Sequence, residues 1–189
     1  MEDNAFIKVL KITPFRNLWL AQVISQIFIN LLFFSLMIRV YELTKSNSAV
    51  SLMVLVVTLP NILLGALAGV IVDRGDRKIV MFLSHFLRVF AVLAFLISTE
   101  TLGWLYFLAF LISVITQFFF PAEAATIPEL ISNKKLLLTA NSLFSFFFFA
   151  SVVLVYFLAV PLLVFFVFYF TFFLFAVAFF FFFAIIPIF

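Results

Sequence analysis

Apolar residues run in long blocks along this chain, and polar residues are confined to short gaps between them. The blocks fall at about 15–38, 49–72, 79–99, 102–121, 138–160 and 163–186. A helix rises about 1.5 Å per residue and must cross about 30 Å of hydrocarbon, so one crossing takes roughly 20 residues. The pattern therefore predicts six membrane-spanning helices. Four gaps are polar, at 42–48, 73–78, 98–101 and 132–135, while the last break is uncharged and marked by Pro161. The first block is longer than the apolar core of a secretory signal and reads as a retained span. The expected organisation is a polar segment over 1–13 and a six-helix transmembrane domain over 14–187.

Composition narrows the class further. Of 189 residues, 68% are hydrophobic and only 10% charged, and the mean hydropathy is +1.39. That is too little charge to coat a water-facing surface, which excludes a soluble enzyme. Disorder is excluded too, because it requires low hydrophobicity. The blocks read as apolar all round, which speaks against helices lying flat in the membrane interface. The chain has no cysteine and a single histidine, His85. Disulfides, thiolate chemistry and a histidine-built metal site are thereby set aside, and no cofactor is expected.

The net charge of +3 and a pI near 9.4 raise the question of nucleic acid. The basic residues sit between apolar blocks, so orientation in a membrane accounts for them better. Lys8, Lys11, Arg16, Arg74, Arg77, Lys78, Lys134 and Lys135 lie on one side of the alternating topology, against Lys45 and the marginal Arg39 on the other. The positive-inside rule then places both termini in the cytoplasm of a multi-pass protein of the cell (inner or plasma) membrane. The expected surroundings are a lipid bilayer and no nucleic acid.

The last quarter differs in composition. Nineteen of the 33 phenylalanines fall in residues 144–189, with runs at 146–149 and 179–183, whereas all the glycines lie earlier. Such a segment inserts readily but lacks the small residues that let membrane helices pack closely. The chain ends on an apolar residue just after Pro187, and it reads as cut short.

The densest polar signal runs from Gly65 and Gly69 to Asp73, Arg74, Gly75, Asp76, Arg77 and Lys78. Gly65 and Gly69 share a helical face that another backbone can approach. Asp73 marks where the span meets the cytoplasm, and Gly75 supplies the positive φ of a tight turn. Arg77 and Lys78 start the next helix, where cations oppose its dipole. Pairing with acids on the same face is the expected reason for them.

This stretch resembles the signature loop between the second and third helices of the major facilitator superfamily, Gly-x-x-x-Asp-Arg-x-Gly-Arg-Lys/Arg. Gly69, Asp73, Arg74, Arg77 and Lys78 match, while Asp76 stands where many members have glycine. A second stretch, from Pro121 through Glu123, Pro128 and Glu129 to Ala140, Asn141 and Ser142, resembles the macrolide-efflux and siderophore-exporter-like branch. The resemblance implies an all-α integral membrane fold of six transmembrane helices, the amino-terminal half of a twelve-helix transporter. It also implies that Asp73 helps latch the two halves, with Arg77, Glu123 and Glu129 as candidate partners. The carboxy-terminal half, or a second copy, would be the protein partner.

Gln22, Gln26 and Asn30 recur every fourth residue in the first span, on one slowly drifting face. Amides in hydrocarbon are costly unless paired, so they face protein or a water-filled cavity. Ser113, Thr116 and Gln117 form a similar set in the fourth span. The resemblance implies that these two helices line the cavity that takes up substrate. Arg88 lies about ten residues into the third span, a buried charge or one that snorkels to the surface. His85 stands one turn before it, where many relatives are expected to carry an acid. No Asp or Glu reads as deep in a span, so a proton carrier is expected elsewhere. No Walker loop, zinc-protease motif or nucleophile elbow is present, so no enzyme is expected. The reading is an efflux-type secondary transporter for amphipathic small molecules, drug-like or siderophore-like. A non-transporting membrane fragment and an ABC-type membrane domain stay open beside it.

Overall fold

The computed structural model describes residues 5–95 and 100–162. The expected sixth span, the 179–183 phenylalanine run and the end of the third block lie outside the described residues. Those described form only helices, turns and short connections: α1 (Ala5–Leu10), α2 (Thr13–Thr44), α3 (Asn47–Arg74), α4 (Arg77–Ala94), α5 (Leu102–Leu130) and α6 (Lys134–Leu162). Four of them, α2, α3, α5 and α6, are long and apolar enough to cross a bilayer. The 18-residue α4 carries Arg77, Lys78 and Arg88 and is not among them.

The helices outrun the apolar blocks. α5 continues through Pro121 and Pro128 to Leu130, and α2 continues past Ile38 to Thr44. Hydropathy marks where hydrocarbon begins and ends, whereas a helix stops only where its hydrogen-bond ladder stops. Part of the polar N-terminal segment is helical too. α1 packs on α6 and fully buries Val9, and the chain enters α2 through a bond from Arg16 N–H to the Ile12 carbonyl.

Two turns are resolved atom by atom. After α2, Lys45 takes a positive φ of 51°, and Thr44 Oγ1 donates to the Val40 carbonyl at 2.7 Å. After α3, Gly75 has φ −100° and ψ 171°, so the expected left-handed turn is absent. The reason for glycine there is proximity: a Cβ would stand 3.3 Å from the Ile71 carbonyl oxygen. Asp76 is likewise not left-handed (φ −75°). It caps α4, its carboxylate accepting from Lys78 N at 2.9 Å and Ile79 N at 3.4 Å. An anion at this helix start also offsets the unfavourable Arg77 and Lys78. Asp76→Ala is expected to lower stability by about 1 kcal/mol, read from thermal unfolding in detergent, with Asp76→Asn close to wild type.

The described residues group into two compact units, one within 1–31 and 125–162, the other within 32–124. In the first, aromatic rings join α2 to α6. Phe15 meets Phe144 edge-on at 5.7 Å, and Trp19 meets Phe147 at 4.8 Å. Such pairs add roughly 0.5–1.5 kcal/mol beyond the area they bury.

In the second unit, α5 is tied to its neighbours at one end. Trp104 Nε1 donates to the Ala94 carbonyl at the end of α4 (3.1 Å), and the Tyr106 hydroxyl donates to the Ala49 carbonyl at the start of α3 (2.9 Å). The sidedness of α4 corrects the expectation that every segment is apolar all round. Met81, Ser84, His85, Arg88, Ala91 and Val92 are buried, while Ile79, Leu83, Phe86, Leu87, Phe90 and Leu93 are exposed. This is the reverse of a soluble helix, with polar groups inward and apolar groups outward, as lipid surroundings require. α3 also turns large apolar residues outward, Ile62 at 80% exposure.

Candidate functional site

The polar row of α2 lies in the first unit. Gln22 and Gln26 are buried and Asn30 is half-buried. Gln26 Nε2 donates to Asn30 Oδ1 (3.3 Å), Asn30 Nδ2 to Ser151 Oγ on α6 (3.0 Å), and Ser151 Oγ to the Phe148 carbonyl (2.7 Å). Each link hands a donor to the next acceptor, so two of the three amides are used in holding helices together. Ser151 is the residue that sequence reasoning missed; its signal was a hydroxyl among phenylalanines. Gln22 makes no side-chain hydrogen bond among the described residues and keeps its capacity.

The polar set of α5 lies in the second unit and divides the same way. Thr116 Oγ1 donates to the Ile112 carbonyl (2.7 Å), and Gln117 Nε2 donates to the Ser113 carbonyl (3.4 Å), both within the helix. Ser113 is 3% exposed, and its hydroxyl oxygen has no hydrogen-bond partner among the described residues. Among the described residues, Gln22 in the first unit and Ser113 in the second are thus buried without a side-chain hydrogen bond, as are the Trp19 indole nitrogen, one nitrogen of Arg88 and one oxygen of Glu123. Leaving such a group unmade costs roughly 1–3 kcal/mol.

The second unit buries two charged side chains, one on α4 and one on α5. Arg88 does not snorkel: it is 3% exposed, its guanidinium carbon 4.6 Å from the centre of the Phe119 ring. Glu123, seven residues before the end of α5, is 4% exposed and so buried within the protein. The acid buried in this unit with Arg88 is Glu123 on α5, while the position one turn before Arg88 holds His85, whose ring packs T-shaped on Phe119 at 4.6 Å. A buried cation needs an anion, and a neighbouring helix can supply it as well as its own.

The signature-loop residues are more open. Asp73 and Arg74 are exposed, and the Asp73 carboxylate makes no ion pair or side-chain hydrogen bond among the described residues. Glu123, an expected partner of Asp73, is buried in the same unit. Arg77, Lys78 and Glu129 each make interactions of their own. Gly65 and Gly69 have nothing within 4 Å of the place a Cβ would occupy. Among the described residues no backbone uses the close approach that their spacing offers.

Comparison with known proteins bears on this arrangement directly. The family model described as Major Facilitator Superfamily matches residues 18–189. Over 95 residues the chain is 35% identical to a Bacillus subtilis (strain 168) protein described as "Uncharacterized MFS-type transporter YfiS". That stretch is 50% of this chain and 22% of the relative, so the chain covers under a quarter of that protein's length. No solved structure matches. The matched span takes in the signature loop, both polar rows and the Arg88–Glu123 centre, and the chain belongs to the major facilitator superfamily, as an amino-terminal half of that membrane-transporter fold.

Proposed function

We propose that this chain forms half of an efflux-type secondary active transporter that exports amphipathic small molecules by alternating access. The observation that carries the reading is the buried Ser113 hydroxyl on α5, which has no hydrogen-bond partner among the described residues, beside the buried Gln22 of α2, which makes no side-chain hydrogen bond among them. In hydrocarbon such groups persist where they are used. Each row by itself suits a partly apolar ligand with a few donors or acceptors, which satisfies a polar atom and leaves the rest of that helix against apolar surface. Gln26, Asn30, Thr116 and Gln117 shape the same two rows while spending most of their hydrogen bonds on the protein.

The signature loop biases one state of the transport cycle. Asp73, exposed and unengaged among the described residues, is the latch group, held on the turn that Gly75 and Asp76 build. Its partner lies in the other half or in a second copy, with Gly65 and Gly69 offering the face for it. Arg74, Arg77 and Lys78 keep this loop cytoplasmic. Both termini then lie in the cytoplasm of a cell-membrane protein.

Cells carrying the gene, loaded with a panel of fluorescent amphipathic dyes, test this reading. Asp73→Asn is expected to lower export about tenfold, the equivalent of a 1.4 kcal/mol shift between states, at unchanged membrane levels. Export unchanged by Asp73→Asn removes the latch. Export of no dye even by the unmodified gene product, with membrane levels normal, removes the efflux reading.

A further inference from the structure

We propose that Ser151 of α6 fixes the direction of the amide row on α2, so that Gln26 offers its carbonyl oxygen to a ligand and the row selects uncharged amphipathic molecules bearing a hydroxyl. The proposal rests on reading the chain as part of a transporter of amphipathic small molecules, and it names the substrate class of the first unit's row. Three hydrogen bonds within that unit support it, and all run one way. The Ser151 hydroxyl donates to the Phe148 carbonyl at 2.7 Å. A serine hydroxyl has one hydrogen to give, so toward α2 Ser151 only accepts. Asn30 must therefore present Nδ2 to it, at 3.0 Å, which leaves Oδ1 for Gln26. Gln26 in turn must present Nε2 to that oxygen, at 3.3 Å.

What the row has left to offer follows from that order. Gln26 is 7% exposed and makes no other side-chain hydrogen bond among the described residues, so its Oε1 keeps its accepting capacity. Gln22, one turn earlier on the same face, is 8% exposed and keeps its whole amide. These two amides lie between two ties of α2 to α6, the Trp19–Phe147 ring contact at 4.8 Å and the Asn30–Ser151 bond. The ties stand about three turns apart on α2 and about one turn apart on α6, so α6 does not match the intervening stretch of α2 residue for residue. A ligand hydroxyl donates to Gln26 Oε1 and accepts from an amide N–H. An ether oxygen only accepts, and it leaves the Gln26 carbonyl without a donor in a buried place. Gln22, Gln26, Asn30 and Ser151 are all uncharged, so an ion drawn among them would lose its hydration with no counter-charge in the row. The Trp19 and Phe147 rings, one turn from Gln22, suit the apolar part of such a molecule.

The test uses the full chain in lipid nanodiscs with pyrenebutanol and its methyl ether, two probes that differ in whether the oxygen can donate. Saturable energy transfer from tryptophan to pyrene reads binding, with Trp19→Phe as the blank. The alcohol is expected to bind about fivefold or more tightly than the ether. Ser151→Ala releases Asn30 and with it Gln26, so the amides turn over and the ratio of the two affinities falls close to one. Ser151→Thr keeps the hydroxyl and should keep the ratio, while Gln26→Met should lose it. If Ser151 served packing alone, Ser151→Ala would weaken both probes together and leave the ratio unchanged, and that result overturns the proposal. A wild-type ratio near one, or no saturable binding of either probe, overturns it as well. A wild-type chain that prefers the alcohol, from a gene whose cells export no dye, supports the site and removes the efflux reading alone.

Discussion

Glu123→Leu lowers the stability of the folded chain by about 3–5 kcal/mol, because it strands the Arg88 guanidinium in an apolar interior. Arg88→Met/Glu123→Leu is expected to return close to wild type, since both charges leave together and their volume is kept. The difference separates desolvation from attraction. A pair removed as a unit loses its Coulomb energy and its burial cost at once, whereas half a pair keeps the cost alone. Unfolding of the purified chain in mixed micelles, followed by circular dichroism, gives both numbers. A double variant no more stable than Glu123→Leu would mean that Arg88 and Glu123 do not act on each other.

Phe119→Ala is the second large effect, at about 3–5 kcal/mol for truncating a buried ring. Phe119 is 2% exposed and touches both His85, in a T-shaped contact, and Arg88, whose guanidinium lies over the ring. The loss combines a cavity with the removal of a cation–π contact worth up to about 2 kcal/mol when desolvated. Phe119→Leu fills most of the space and removes the ring face, so its smaller loss reports chiefly the contact with Arg88. If Phe119→Ala cost under about 1 kcal/mol in the same assay, the ring would not be packed as described.

The sequence made the spanning helices legible because lipid imposes a simple condition, an apolar run of sufficient length. It made the ends less legible. The Pro121–Leu130 stretch is polar enough to leave the hydrocarbon, yet it stays on the α5 hydrogen-bond ladder. Gly75 was expected to supply a left-handed turn because glycine tolerates positive φ. The loop instead uses glycine for clearance and aspartate as a cap, two roles that a residue list cannot tell apart.

The polar residues show the same division. Their burial followed from chemistry, since Gln22, Gln26, Asn30, Ser113, Thr116, Gln117 and Arg88 sit in apolar runs. Their partners did not follow. Asn30 reaches Ser151 on α6, and the acid buried in the same unit as Arg88 is Glu123 on α5, both far away along the chain. A search confined to one helical turn finds His85 beside Arg88 and stops there. The available signal was the pairing of Phe119 with Glu123, four residues apart, which puts a ring and a carboxylate on one face.

The absence of native cysteine makes the topology directly measurable. Single cysteines at Ser46, Thr101 and Gly75, treated in intact cells with a membrane-impermeant maleimide, report which turns face outward. The account predicts labelling at positions 46 and 101, and labelling at position 75 only after the membrane is opened. Labelling of position 75 in intact cells, with 46 and 101 protected, would contradict it.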